Sequence, residues 1–171
     1  DEFEIGFAPN GEDELFRYLL KKGFRENEIE KAGVAIKGKY GNRYFDRFRG
    51  RIMFPLYNNF GRVVGFTGRI MPGQDTDMAK YVNSPDTPIF NKSKILFGFH
   101  KAKDFIRNEK SAVVVEGQMD FLMAWQAGIK NVIATSGTVL TLDHLKLLKR
   151  ISDQLILSFD QDVAGQQAMD R

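Results

Sequence analysis

The sequence predicts an α/β protein with two parts. The first is a mixed α+β part carrying a basic antiparallel hairpin; the second is a βαβαβα run forming a parallel sheet covered by helices. Three observations predict this. Residues 47–56, RFRGRIMFPL, alternate basic and apolar side chains with the period of two that marks a half-buried strand. After the turn at Asn58-Asn59-Phe60-Gly61, residues 62–70, RVVGFTGRI, supply a second strand, so the two make a hairpin. From residue 111 onward, short apolar runs alternate with helical segments, the pattern of a parallel sheet.

In chain order, residues 11–22, GEDELFRYLLKK, place Leu15, Phe16, Tyr18, Leu19 and Leu20 on a helical period. Acids lie at the start of this helix and lysines at its end, complementing the helix dipole. Residues 25–32 predict a second short helix stopped by Gly33. In the hairpin, Arg47, Arg49 and Arg51 share one face, expected to project outward, while Phe48, Ile52, Phe54 and Leu56 share the other. Residues 71–95 are turn-rich with no clear period, and the anchors Tyr81, Val82, Ile89, Phe90 and Ile95 predict an ordered functional loop. Residues 98–108 predict a connecting helix. SAVVVEG (111–117), NVIATSG (131–137) and DQLILSFDQD (153–162) contain strands. QMDFLMAWQAG (118–128), closed by Gly128, and TLDHLKLLKRIS (141–152), with Thr141 as N-cap, are helices. The expected domains are 1–110 and 111–171.

The composition, 43% hydrophobic and 27% charged, is that of a globular chain. No apolar run approaches the ~18–20 residues that span a bilayer, and the acidic start DEFEIGFAPN is not expected to act as a signal peptide. The lack of cysteine excludes disulfides and thiolate metal sites within the chain and fits a cytoplasmic protein. The first residue is Asp1 and the last, AGQQAMDR, open a helix, so the chain is expected to be a piece of a longer protein. Its net charge of +3 is uneven: residues 41–110 hold 13 Lys+Arg against 6 Asp+Glu, a net of +7, while the flanks are each −2. A basic middle fits a polyanion-binding surface, and equally an ordinary solvated one.

In open parallel sheets active groups gather beyond the carboxyl ends of the strands. Glu116 ends the first strand of the second part; Asp160 ends the third, with Asp162 two residues on. Converging carboxylates repel, and a divalent cation reverses that cost. Mg²⁺ or Mn²⁺ suits such hard oxygen ligands. Two such ions ~3.5–4 Å apart activate an attacking oxygen and stabilise a leaving one. Each acid taken singly also fits a helix cap, and Asp120, in the first turn after Glu116, fits a cap or a support for the site equally well.

VVVEGQMD, followed by FDQDVAGQQA, resembles the TOPRIM domain shared by primases, topoisomerases and some nucleases. Together with IGFAPNG, YFDRFRGRIMFPL, GRVVGFTGRI and KYVNSPDTPIFNKSKILFG, the chain resembles the RNA polymerase core of bacterial DnaG-type primases over essentially its whole length. The resemblance implies that Glu116, Asp160 and Asp162 bind catalytic metal. It implies that Arg69, Lys80 and Asn83 lie on a ridge holding single-stranded DNA template, with Tyr81, Ser84 and Pro85 shaping the same motif. Arg47, Arg49, Arg51 and Lys92 are further candidates for phosphate contact. The implied reaction is synthesis of short RNA primers from nucleoside triphosphates. The implied partners outside this chain are a zinc-binding domain and, through another region, the replicative helicase. Gln118 departs from the Tyr often found in the family, and Gln161 and Val163 also depart. The family's further acidic motif would lie beyond Arg171. A TOPRIM topoisomerase or nuclease and a non-catalytic single-strand-binding module are the alternatives.

Overall fold

The structure, a computed structural model, describes residues 2–39, 43–73, 78–137 and 139–159. The chain divides into two compact units: residues 1–56 with 63–91, and residues 57–62 with 92–171.

The first unit opens with strand β1 (Gly6–Ala8) and helices α1 (Glu14–Lys21) and α2 (Glu26–Lys31), followed by the short strands β2 (Ala35–Lys37) and β3 (Tyr44–Asp46), paired antiparallel. The predicted apolar face of α1 buries Phe16, which packs with Ile29, Ala35 and Tyr44. The Phe16 and Tyr44 rings stack at 4.6 Å. Residue Asp13, the N-cap of α1, makes no side-chain cap. Asp46 makes it instead, from 30 residues away, accepting the backbone N–H of Leu15 at 2.8 Å and of Phe16 at 2.9 Å. Two of the donors that every helix start leaves unpaired are thereby satisfied by a buried carboxylate.

The hairpin forms as β4 (Arg51–Tyr57) and β5 (Val63–Ile70), with Asn58 organising the turn by accepting the N–H groups of Phe60 and Arg62. Strand β6 (Tyr81–Asn83) pairs antiparallel with β5, giving a sheet ordered β1-β4-β5-β6. Phe48, Phe54 and Leu56 are buried as the alternation predicts, and each contributes about 1.5–3 kcal/mol by burial. Two expectations are corrected. Regular strand begins at Arg51 rather than 47, and the turn-rich stretch 71–95 contains β6 and a short 3-10 turn at Lys92–Lys94.

In the second unit, α3 (Phe99–Glu109) precedes β7 (Ser111–Val115), α4 (Gln118–Gln126), β8 (Val132–Ala134), α5 (Leu142–Leu148) and β9 (Gln154–Ser158). The three strands are parallel in the order β8-β7-β9, as the sequence predicts. The final predicted helix lies outside the described residues. The core is Ala102, Ile106, Val114, Phe121, Val132 and Ile133, all fully buried. Gly98 starts α3 at φ +79°, and a Cβ there would sit 2.1 Å from the Phe121 ring, so only glycine lets that ring close over the helix start. Among the described residues no helix is long and apolar enough to cross a membrane.

Candidate nucleic-acid interface and carboxylate edge

In the first unit, the register of β5 and β6 sets Arg69 opposite Tyr81 and Thr67 opposite Asn83. The Arg69 guanidinium lies 5.7 Å from the centre of the Tyr81 ring, a cation–π contact that orients it. Lys80 is exposed beside them. Arg47 donates from Nε to the carbonyl of Asn83 at 2.9 Å. Arg47, Arg49 and Arg51 line one groove of about 490 Å³ whose walls include Ile36, Met78 and Val82. The wall residues Ile36 and Met78 carry no sequence signal of their own.

The three arginines are not equivalent. Arg49 is exposed, Arg47 is half-buried and Arg51 is buried. From Nη1, Arg51 donates to the carbonyls of Gly68 at 3.3 Å, Ala79 at 3.0 Å and Lys80 at 3.4 Å. The expectation that Arg51 projects outward is therefore corrected: the segment before β6 folds over that face and takes up its guanidinium. Gly68 makes this possible, since a Cβ there would meet the Arg51 Cδ and a Phe48 ring carbon, each at 3.0 Å. Burial lowers the pKa of both Arg47 and Arg51 from the ordinary arginine value.

In the second unit, Glu116 follows the last residue of β7 and is half-buried. Its carbonyl accepts the backbone N–H of Ser136 at 2.8 Å and of Gly137 at 3.4 Å, and the Thr135 hydroxyl at 3.4 Å. The loop after β8 thus fixes the backbone that carries the carboxylate. Ser136 adopts φ +59°, the left-handed region that a non-glycine residue occupies at a cost. Asp120 accepts the Gly117 N–H at 3.0 Å, so it caps the start of α4. Thr141 caps α5 as predicted, accepting the His144 N–H at 3.2 Å, and its hydroxyl donates to the Ser93 carbonyl at 2.7 Å. Lys92, next to Ser93, is half-buried, and desolvation lowers its pKa from the ordinary lysine value.

Two of the predicted metal ligands, Asp160 and Asp162, lie outside the described residues. Among the described residues, no three acidic or histidine side chains gather. What is described fits a hard divalent ion. The edge carries the Glu116 carboxylate, a hard oxygen donor, rather than sulfur or imidazole. Two buried polar atoms without partners, Gln118 Nε2 and Ser136 Oγ, follow β7 and β8 at this same edge. Gln118 Nε2 is a donor and cannot ligate a cation, whereas the Ser136 hydroxyl oxygen can.

Comparison with known proteins bears on both units. Residues 1–103 match the model of the DNA primase catalytic core, N-terminal domain, and residues 113–171 match a Toprim-like model. The DNA primase of Staphylococcus epidermidis is 42% identical over 98% of this chain, and the chain spans 27% of that protein's length. Among solved structures, the RNA polymerase domain of the Mycobacterium tuberculosis primase DnaG is similar with a TM-score of 0.87 and 40% identity, over 98% of this chain and 56% of that one. A DnaG primase catalytic domain bound to single-stranded DNA is similar with a TM-score of 0.83 and 40% identity, over 98% of this chain and 51% of that one. The chain therefore spans about half of these solved domains and just over a quarter of the curated relative, and it belongs to the DNA primase catalytic core family.

Proposed function

We propose that this chain is the part of a DNA primase that holds single-stranded DNA template and supplies the first carboxylates of the polymerising site. The parent enzyme joins nucleoside triphosphates into short RNA primers. The observation that carries this is the placement of Glu116 at the carboxyl end of β7, with its backbone held by three donors from the loop after β8. Residues 111–171 serve as the start of the metal-binding domain, and residues 1–110 carry the basic surface.

In this proposal Glu116, Asp160 and Asp162 hold Mg²⁺ or Mn²⁺. When bound, the ion offsets the charge of the triphosphate and lowers the pKa of the primer 3′-hydroxyl. The chain's own contribution is positioning. Ser136, Gly137 and Thr135 keep the Glu116 carbonyl fixed, and Asp120 keeps α4 starting at Gly117. Arg69, Lys80, Arg47 and Arg49 offer charge to the template backbone, with Asn83 and Tyr81 orienting the arginines; Arg51 builds the surface from beneath, and Lys92 is a further phosphate contact. Contacts of this kind hold backbone without reading sequence. A zinc-binding domain and the region that meets the replicative helicase belong to other parts of the parent protein, which acts in the cytoplasm at the replication fork.

The test is incubation of the intact protein with single-stranded DNA, ribonucleoside triphosphates and Mg²⁺. Short RNA products support the proposal. Cleavage of the DNA without RNA synthesis would point instead to a TOPRIM nuclease or topoisomerase, and binding without any product to a recognition module.

A further inference from the structure

We propose that Asn10 is a modification site: its side-chain amide cyclises onto the Gly11 nitrogen with loss of ammonia, and the carboxylate that follows weakens the hold of the arginine groove on single-stranded DNA. The second half rests on the DNA-binding role proposed above for Arg47 and Arg49. Asn10-Gly11 is the one Asn-Gly pair in the sequence. Glycine after asparagine favours ring closure, because no Cβ shields its nitrogen and its backbone turns freely. The fold keeps glycine there, since a Cβ on residue 11 would run into the carboxyl group of Glu14.

Ring closure also needs a backbone nitrogen that no hydrogen bond holds. Asn10 is exposed in the loop between β1 and α1, and among the described residues nothing accepts the Gly11 N–H. Asn83-Ser84, at the end of β6, is set the opposite way: the Ser84 N–H donates to the Phe66 carbonyl at 2.8 Å, and Ser84 is buried. In the reaction a bond forms between the Gly11 nitrogen and Asn10 Cγ. The bond from Cγ to the side-chain nitrogen breaks, and that nitrogen leaves as ammonia with the former Gly11 amide proton. Water then opens the cyclic imide at either carbonyl, giving aspartate or isoaspartate, each with one new negative charge.

The placement of Asn10 gives that charge its consequence. Asn10 lines the same groove as Arg47, Arg49 and Arg51. Its side chain faces Gly50, where an added Cβ would lie 3.5 Å from Asn10 Oδ1, and the Pro9 carbonyl accepts the Gly50 N–H at 3.1 Å. The loop is thus pinned to the residue between Arg49 and Arg51. A carboxylate here offers a guanidinium the planar, charged partner that a phosphate would otherwise supply.

The experiment incubates the intact protein in warm, mildly alkaline buffer and follows residue 10 by peptide mass spectrometry. Aspartate and isoaspartate are expected at position 10, while Asn83 in the same digest keeps its amide. Single-stranded DNA affinity is expected to fall in step with the modified fraction. Asn10→Asp is expected to bind about three-fold more weakly than Asn10→Gln, with a salt slope smaller by about 0.7. Asn10→Gln is expected to hold its own starting affinity throughout the incubation, because its longer side chain closes the ring far more slowly. Survival of Asn10 in the folded protein would overturn the proposal. So would modification, or Asn10→Asp, with DNA affinity and salt slope unchanged. Arg49→Ala assayed beside them tells the two readings apart: weakened binding there confines the failure to Asn10, and unchanged binding removes the DNA-binding surface as well.

Discussion

The Ser136 backbone amide donates to the Glu116 carbonyl at 2.8 Å, and Ser136 makes that bond from a left-handed backbone at φ +59°. The strain and the unpaired Ser136 hydroxyl both belong to a residue bonded to the backbone of Glu116, the carboxylate proposed to hold metal. A β-branched residue tolerates this backbone far less well than serine. Ser136→Val is expected to lower stability by about 1–3 kcal/mol. Primer synthesis is expected to fall further than the folded fraction does. Thermal unfolding and primer assays on the same preparation separate the two effects.

Arg51 and Arg49 predict opposite outcomes although they lie two residues apart. Arg51→Ala removes the buried guanidinium that bonds the carbonyls of Gly68 and Ala79 and, alongside the Ile70 N–H, that of Lys80, and is expected to cost about 2–4 kcal/mol in urea unfolding. Arg49→Ala, at an exposed position, is expected to change stability by less than about 0.5 kcal/mol. It should instead weaken single-stranded DNA binding and reduce the salt slope by about 0.7. An unchanged slope would remove Arg49 from the interface.

Asp46 is the distant cap of α1. Asp46→Ala is expected to destabilise the first unit by about 1–2 kcal/mol, with Asp46→Asn recovering part of the loss. Hydrogen exchange at the Leu15 and Phe16 amides checks the mechanism, because both should lose protection in Asp46→Ala.

His144 sets a pH dependence. It is fully buried, and desolvation lowers its pKa below the ordinary value of 6.5, while Asp143 and the Ile95 carbonyl push back. Its Nδ1 accepts the Thr141 N–H at 3.3 Å, a bond that the protonated ring cannot accept. The unfolded chain therefore takes up the proton first as pH falls, so His144 contributes stability that is present above pH 6.5 and lost below it. His144→Gln is expected to be less stable at neutral pH and to show a shallower loss between pH 6.5 and the folded-state pKa. Parallel slopes for the two proteins would contradict this.

The second unit was legible because its strands are short apolar runs bounded by turn residues and its helices carry caps and closing glycines, Thr141 and Gly128 among them. Strands β1, β2, β3 and β6 are three residues each, too short for a period to register, and they exist because neighbours pair with them. Period two correctly singled out Phe48, Phe54 and Leu56 as buried, but the strand starts only at Arg51, and Arg51 is buried with them. It could not say what covers Arg51, and so missed that Ala79 and Lys80 close over it. The Asp46 cap was invisible for the same reason, since its partners are distant in sequence. Glu116 could be singled out from its position after VVV, but the loop that grips its carbonyl shows only in three dimensions.

The central claim, that Glu116 belongs to a divalent-metal site for primer synthesis, is tested most directly in the intact protein by Glu116→Gln. The measurement pairs calorimetric Mn²⁺ titration in the presence of template and triphosphate with a primer-synthesis assay. The account predicts that the variant keeps its thermal unfolding profile, loses metal affinity and loses primer synthesis by at least about 10²-fold. Full primer synthesis with unchanged metal binding in Glu116→Gln would contradict it.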